Sequence, residues 1–448
     1  MGRVMRRSLA ALLGLGLLLT GVLAISPAAA AGPATFGKAS AESTFGQGIT
    51  FQQAITADRP IGRVELLLTV ADAIGPTIIV LPDRPAAGAT TLTHTLDTSG
   101  NAYMVPNTPV VARWRLFAAD DPTAVTLGPP LRIVYADDRF DWRTASSDLV
   151  RVHWYQGDAG FGGKALALGE KAVRDTSELL GVTETKPVDF FVYPDDDTFY
   201  DAIGPGAHEN VAGSAYAHIR TLLGLIPPRQ IDDPLVAVRI PHEFIHLVFD
   251  TASSNPYHRP PRWLNEGLAV YRSQGYDASD RGDVRAAARN GTLIPLDGLT
   301  GQFPNGQDFF LAYAESASAV EFMVRTFDSA ALVQLIRSYA EGRTDDEAFR
   351  DALGLDMTEF GDAWFVDVQA TPKTRFGPQP APRGPIPAAW VGDDPAGPGA
   401  SSAPSTPPGV PRPSAVGSPT PVPASPGSRG GPQRRMATSS SRLSSWLR

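Results

Sequence analysis

His242 and His246 stand four residues apart in His242-Glu243-Phe244-Ile245-His246, and Glu266 follows the second histidine by twenty residues. On a helix, positions i and i+4 share one face about a turn apart, so the two imidazoles can grip one metal ion. Glu243 lies about 100° round the same turn. From there its carboxylate can take a proton from a metal-activated water and hand it to a leaving group. The chemistry on offer is metal-assisted hydrolysis.

These residues must be held by a buried element. Phe244, Ile245, Leu247, Val248 and Phe249 leave no polar face, so the sequence predicts a helix covered on most sides. Two histidines and a glutamate there need partners, either a shared dication or backbone carbonyls. Pro260 to Tyr271 reads as the opening of a second helix, its prolines placed in or before the first turn. Glu266, within Trp263-Leu264-Asn265-Glu266-Gly267, is placed to supply a third ligand.

Both motifs together resemble those of the gluzincin zinc metallopeptidases, in particular the bacterial peptidase MA-like group. The resemblance implies one Zn2+ per chain on His242, His246 and Glu266, with Glu243 as general base and a peptide or protein as substrate. It also implies an oxyanion-stabilising tyrosine, for which Tyr313 in Leu311-Ala312-Tyr313-Ala314-Glu315 is the candidate. The Lys-Gly pair that follows this tyrosine in the aminopeptidases is absent, and packing against Val320 and Phe322 is the structural alternative. Nineteen residues separate His246 from Glu266, one more than is usual in the aminopeptidases, which the loop Asn255-Pro256-Tyr257-His258 can absorb. Pro241 precedes His242 and, in a helix beginning near Asp233-Pro234, removes one backbone bond and predicts a kink. Gly206-Ala207-His208-Glu209-Asn210 echoes the family's exopeptidase motif with histidine for methionine, making Glu209 a candidate grip on a free amino terminus. Gly213-Ser214-Ala215-Tyr216 competes with it as the strand that pairs with substrate.

The 448 residues, 43% hydrophobic, can bury a sizeable core and fill two domains with extensions. Met1 to Ala31 carries three arginines, an apolar run from Leu9 to Ile25 and a small-residue segment, and reads as a signal peptide cleaved near Ala30 or Ala31. An uncleaved membrane anchor is the alternative. The mature chain is therefore expected to be secreted or otherwise extracytoplasmic. There is no cysteine, which excludes disulfides, thiolate ligands and a cysteine nucleophile. The net charge of −8 is uneven: Met1 to Ala31 carries +3 and residues 372 to 448 carry +7, leaving −18 for residues 32 to 371. So acidic a body disfavours a nucleic-acid partner.

Residues 32 to 145 alternate in short runs broken by Gly, Pro and Asp, as in Arg63 to Thr69 and Val110 to Leu116, and predict an all-β sandwich-like domain. His94 falls on one of its surface strands. Residues 146 to 371 predict an α+β zincin-like catalytic domain, with a strand over Leu149 to Tyr155, a helix over Phe161 to Leu180, and strands near Pro187 to Tyr193 and Ala212 to His218. A mostly helical remainder follows, over Asp280–Asn290, Phe309–Thr326, Ser329–Tyr339, Asp345–Leu353 and Thr358–Val368. His153 and His218 read as structural strand residues, while His258, between the two metal-binding helices, is open to contact with substrate. Residues 372 to 448, rich in Pro, Ser, Gly and Ala, predict a disordered tail. Its basic balance suits simple solvation or association with cell-wall or membrane-surface anions.

The residues thus predict a secreted zinc metallopeptidase, with endopeptidase and aminopeptidase action both open. The competing class is a wall-associated binding protein whose zinc site is structural or vestigial.

Overall fold

The structure, a computed structural model, describes residues 32–71, 73–205, 211–255 and 258–373. The predicted signal segment, Glu209 and nearly all of the Pro-rich tail lie outside them. Among the described residues no helix is long and apolar enough to cross a membrane.

The first part is a β-sandwich. Strands β1 (Ala34–Thr44), β2 (Gly48–Ala57), β3 (Ile61–Val70), β4 (Thr77–Leu81), β5 (Gly88–Asp97), β6 (Thr108–Ala118), β7 (Val125–Leu127) and β8 (Leu131–Tyr135) follow in chain order. They form one sheet ordered β1-β2-β5 and another ordered β4-β3-β6-β7, with β8 also on β6, all pairs antiparallel. Period-two patterning sets which side is buried. Ile49, Phe51 and Ile55 of β2 meet Val64 and Leu66 of β3 and Val110, Trp114 and Leu116 of β6 in one core. His94 sits half-buried on β5.

The second part opens with β9 (Arg143–Ser146) and β10 (Val150–Trp154), then α1 (Ala159–Leu180), β11 (Val188–Tyr193), α2 (Asp196–Ile203), β12 (Gly213–Tyr216) and β13 (Thr221–Leu225). Its sheet is ordered β12-β13-β11-β10-β9. Strands β10, β11 and β13 run parallel, and β12 and β9 are antiparallel to their neighbours. The boundary expected at 145/146 falls inside β9, which pairs with β10 and so joins this sheet. The strand expected over Ala212 to His218 is shorter, because a 3-10 turn at Ala217–Ile219 returns the chain as β13. His218 is on that turn rather than on a strand.

Helices α3 (Val236–Ser253), α4 (Arg262–Ser273), α5 (Ala278–Asn290), α6 (Gln307–Ala340), α7 (Asp345–Leu353) and α8 (Met357–Asp367) complete the chain. Two expected helices merge in α6, which breaks at Asp328 (φ 78°, ψ 172°), between the expected ends at Thr326 and Ser329. Asp328 caps the second half by accepting from the Ala331 N–H. Polar pins tie the sandwich to the second sheet. Asn107 donates to Thr221 Oγ1 at 2.9 Å and to Asp189 Oδ2 at 3.3 Å. Arg139 reaches Asp201 at 2.9 Å. Asp189 also takes Arg151 through both oxygens and His153 Nε2 at 2.7 Å, so His153 is structural, as expected.

Candidate active site

α3 runs through the core between the sheet and the other helices. Asp233 starts it by accepting the Leu235 N–H at 2.9 Å. The helix begins at Val236, and Pro241 sits inside it, leaving the Ala237 carbonyl without its usual i+4 N–H donor. Phe244 packs edge-on against Phe190 of β11 and lies over Gly169 of α1, where a Cβ would come within 2.7 Å of its ring. That packing fixes the rotation of α3, so His242, Glu243 and His246 turn toward a cleft of about 660 Å³.

α4 supplies the facing wall. Pro261 is its N-cap, and Trp263 stacks on Phe360 of α8 with centroids 5.9 Å apart. Gly267 presses on the backbone of α6: a Cβ there would lie 2.4 Å from the Ser316 carbonyl oxygen. The glycine after Glu266 is therefore needed for close helix approach. It sets the depth at which Glu266 enters the cleft.

His242 Nε2 and His246 Nε2 lie 3.1 Å apart, and Glu266 Oε2 is 3.3 Å from the second and 3.5 Å from the first. A tetrahedral metal with bonds of about 2.1 Å has ligand-to-ligand edges of roughly 3.4 Å. The three atoms are spaced as three corners of such a tetrahedron. Glu266 Oε2 is buried and accepts no hydrogen bond among the described residues, as suits an atom reserved for a cation. This is the group of His, Asp and Glu that could hold a metal among the described residues.

Supporting contacts orient the candidate ligands. His246 Nδ1 lies 2.8 Å from Asn265 Oδ1; donating its proton there leaves Nε2 with a lone pair for the metal. Arg262 gives Nε and Nη2, both at 3.2 Å, to Glu266 Oε1. The same guanidinium hydrogen-bonds Tyr313 and lies over the Phe303 ring at 4.9 Å. Motif reading passed over Arg262 and Asn265. The signal for Arg262 was its place four residues before Glu266, an i,i+4 charge pair.

Burial would lower the His246 pKa, but the Glu266 and Glu243 carboxylates outweigh it and raise it to about 9. Burial would raise Glu266, yet the His246 charge and the neighbouring His242 imidazole hold it well below its ordinary value. Glu243 is pushed up by burial against the opposing pull of the two histidines. Its Oε1 would be only 2.1 Å from a Cβ on Gly213, so this carboxylate rests on the backbone of β12. Tyr313 packs on Phe303 and Phe309, each at 5.2 Å, with its ring 6.4 Å from His242, and lies against the core cluster that includes Val320 and Phe322. Burial first, and the Glu266 charge next, keep its phenol protonated.

Residues 169–370 match the model of the Peptidase MA superfamily. That stretch of the chain belongs to the superfamily. Family and metal-holding trio together make the chain a metallopeptidase. An M1 zinc metallopeptidase from Deinococcus radiodurans is similar over 75% of this chain and 93% of its own, at 15% identity and a TM-score of 0.35. An aminopeptidase N family protein from Idiomarina loihiensis is similar over 74% of this chain and 75% of its own, at 9% identity and a TM-score of 0.40. Legionella pneumophila aminopeptidase A, solved with aspartic acid, is similar over 75% of this chain and 49% of its own, at 10% identity and a TM-score of 0.36. Likenesses this distant carry no functional weight. No curated protein matches the chain.

Within the metallopeptidase cleft, β12 forms one rim and α4 the other. His218 joins the lining from its 3-10 turn. His258 turns away, pairing with Asp345 of α7 at 3.0 Å and stacking on Tyr339, which gives it a structural explanation in place of contact with substrate.

Proposed function

We propose that this chain is a secreted, zinc-dependent peptidase in which Glu243 is the general base and Tyr313 a donor to the oxyanion. The observation that carries the reading is the 3.1, 3.3 and 3.5 Å spacing of the three donor atoms around a buried oxygen without a hydrogen bond. Two imidazoles and one carboxylate suit zinc, one ion per chain, with a fourth position left for substrate chemistry. When bound, the ion supplies a Lewis acid that acidifies a water and polarises a carbonyl.

The chain's own residues do the rest. Strand β12 has β13 on one side and the cleft on the other, so an extended peptide adds to its free edge. Glu243, lying against Gly213 of that strand, takes the proton of the attacking water and delivers it to the departing amine. Tyr313, held by Arg262, donates its phenolic hydrogen to the oxygen on which charge develops. The export reading rests on the sequence of Met1 to Ala31, and the mature amino terminus of exported protein tests it.

The decisive experiment measures metal content and peptide hydrolysis for the purified protein and for Glu243→Gln. About one zinc per chain in both, with hydrolysis in the parent and a loss of about 10²-fold or more in the variant, is the expected result. Zinc without turnover on a broad peptide library would favour a binding protein with a structural site, and absence of metal would defeat the reading. Parallel assays on amino-blocked and free peptides separate endopeptidase from aminopeptidase action.

A further inference from the structure

Beyond the metal, one wall of the cleft carries a charge that catalysis does not use. Glu266 and Val270 of α4 and Gln274, its C-cap, follow one another four residues apart, and all three line the cleft. Gln274 Nε2 donates at 3.2 Å to Asp280 Oδ2 on the first turn of α5, and Asp280 also lines the cleft. Eight residues of helix place this end about 12 Å from Glu266. Val270 and Phe310 supply apolar wall on the way.

Asp280 is 3% exposed, and no ion pair forms on it among the described residues. The charges that act on it most are those of the acids Asp277 and Asp283, while Arg281, next in the chain, lies over the Tyr276 ring at 4.8 Å. Asp280 also joins the cap of α5: the Asp277 side chain accepts the N–H groups of Ser279 and Asp280 at 2.7 and 3.0 Å, and the Asp280 carboxylate accepts the Asp277 N–H, a neutral partner that leaves its charge uncompensated. A carboxylate kept from water without a cation is costly, and burial with Asp277 nearby lifts its pKa to about 6. An arriving cation would relieve that cost.

An apolar wall ending in a buried carboxylate matches a long aliphatic stem with a charged head, the form of lysine and arginine side chains. The distance of about 12 Å is spanned by one or two extended residues of about 3.4 Å each plus such a side chain. We propose that Asp280, steadied by Gln274, floors a subsite for a basic side chain, so that the peptidase cleaves beside lysine or arginine. The inference rests on the peptidase reading and names the substrate class of the same cleft.

The test maps cleavage sites in a mixed peptide library. It then compares kcat/KM for peptides differing at one flanking residue: lysine, arginine, norleucine or glutamate. A basic residue should be preferred over norleucine by roughly tenfold to a hundredfold, the worth of a charge-assisted contact in a desolvated site. In Asp280→Asn the ratio of lysine to norleucine should fall to within about threefold of unity. Gln274→Lys places a cation on the carboxylate and should remove the same preference, so the result does not depend on one variant. Hydrolysis with no basic preference, or a preference that survives both substitutions, overturns the subsite and leaves the peptidase reading intact. Hydrolysis of no peptide defeats both.

Discussion

Arg262 directs two N–H groups, each at 3.2 Å, to a single oxygen of Glu266, Oε1, while Oε2 turns to the two imidazoles. The guanidinium thereby decides which oxygen is left for a metal. Replacing it with a chain of similar length and no charge, Arg262→Met, frees Glu266 to rotate and leaves Oε1 unpaired. Metal affinity, measured by competition with a chelator, should fall about 10- to 100-fold. Arg262→Lys should recover part of the loss, since one point charge replaces a two-pronged donor.

Gly213 tests the placement of the base. A methyl group there would sit 2.1 Å from Glu243 Oε1, so Gly213→Ala must push the carboxylate aside. Displacement of a catalytic group by about 1 Å costs on the order of 10²-fold in rate. Steady-state kinetics should show kcat reduced to that extent, with metal content unchanged.

Tyr313→Phe keeps the packing on Phe303 and Phe309 and removes the hydroxyl. If the phenol acts only as charge develops, kcat should drop about 10- to 10³-fold while KM stays within about twofold. A rise in KM at constant kcat would assign the hydroxyl to ground-state binding instead.

Glu315 gives stability a pH dependence separate from the cleft. Fully buried, it accepts the Ile294 N–H through both oxygens at 3.1 and 3.2 Å. Burial lifts its pKa from 4.5 to about 8. Between those values the unfolded chain has lost the proton that the folded protein keeps, so the stability this group contributes declines as pH rises and levels off above about 8. Its size is on the order of a few kcal/mol. Glu315→Gln retains an acceptor for Ile294 and has no proton to lose. Thermal unfolding should show parent and variant alike near pH 4.5, with the variant increasingly favoured toward pH 8.

The site was legible because its ligands come from two local patterns whose helical spacing carries the geometry. His242 and His246 face one way by i+4 spacing alone, and Trp263 to Gly267 marks a helix that must pack closely. What joined the two halves was not legible. Asn265 reaches His246 and Arg262 reaches Tyr313 across helices, and such contacts leave no period in the sequence. In the fold, β13 was missed because Thr221 to Leu225 is buried at every position and shows no alternation. Helix α2 was missed because it is only eight residues long and opens with Asp196-Asp197 behind its N-cap Asp195, a run of acids with no apolar period to announce a helix.

Gly267 brings α4 against the α6 backbone near Ser316, one turn beyond Tyr313. The helix bearing Glu266 and the helix bearing the phenol are therefore packed backbone to backbone. On the opposite rim β12 is an edge strand, paired with β13 among the described residues. Selection for new substrates could then reshape that rim, or the far end of α4, without detuning the reacting groups.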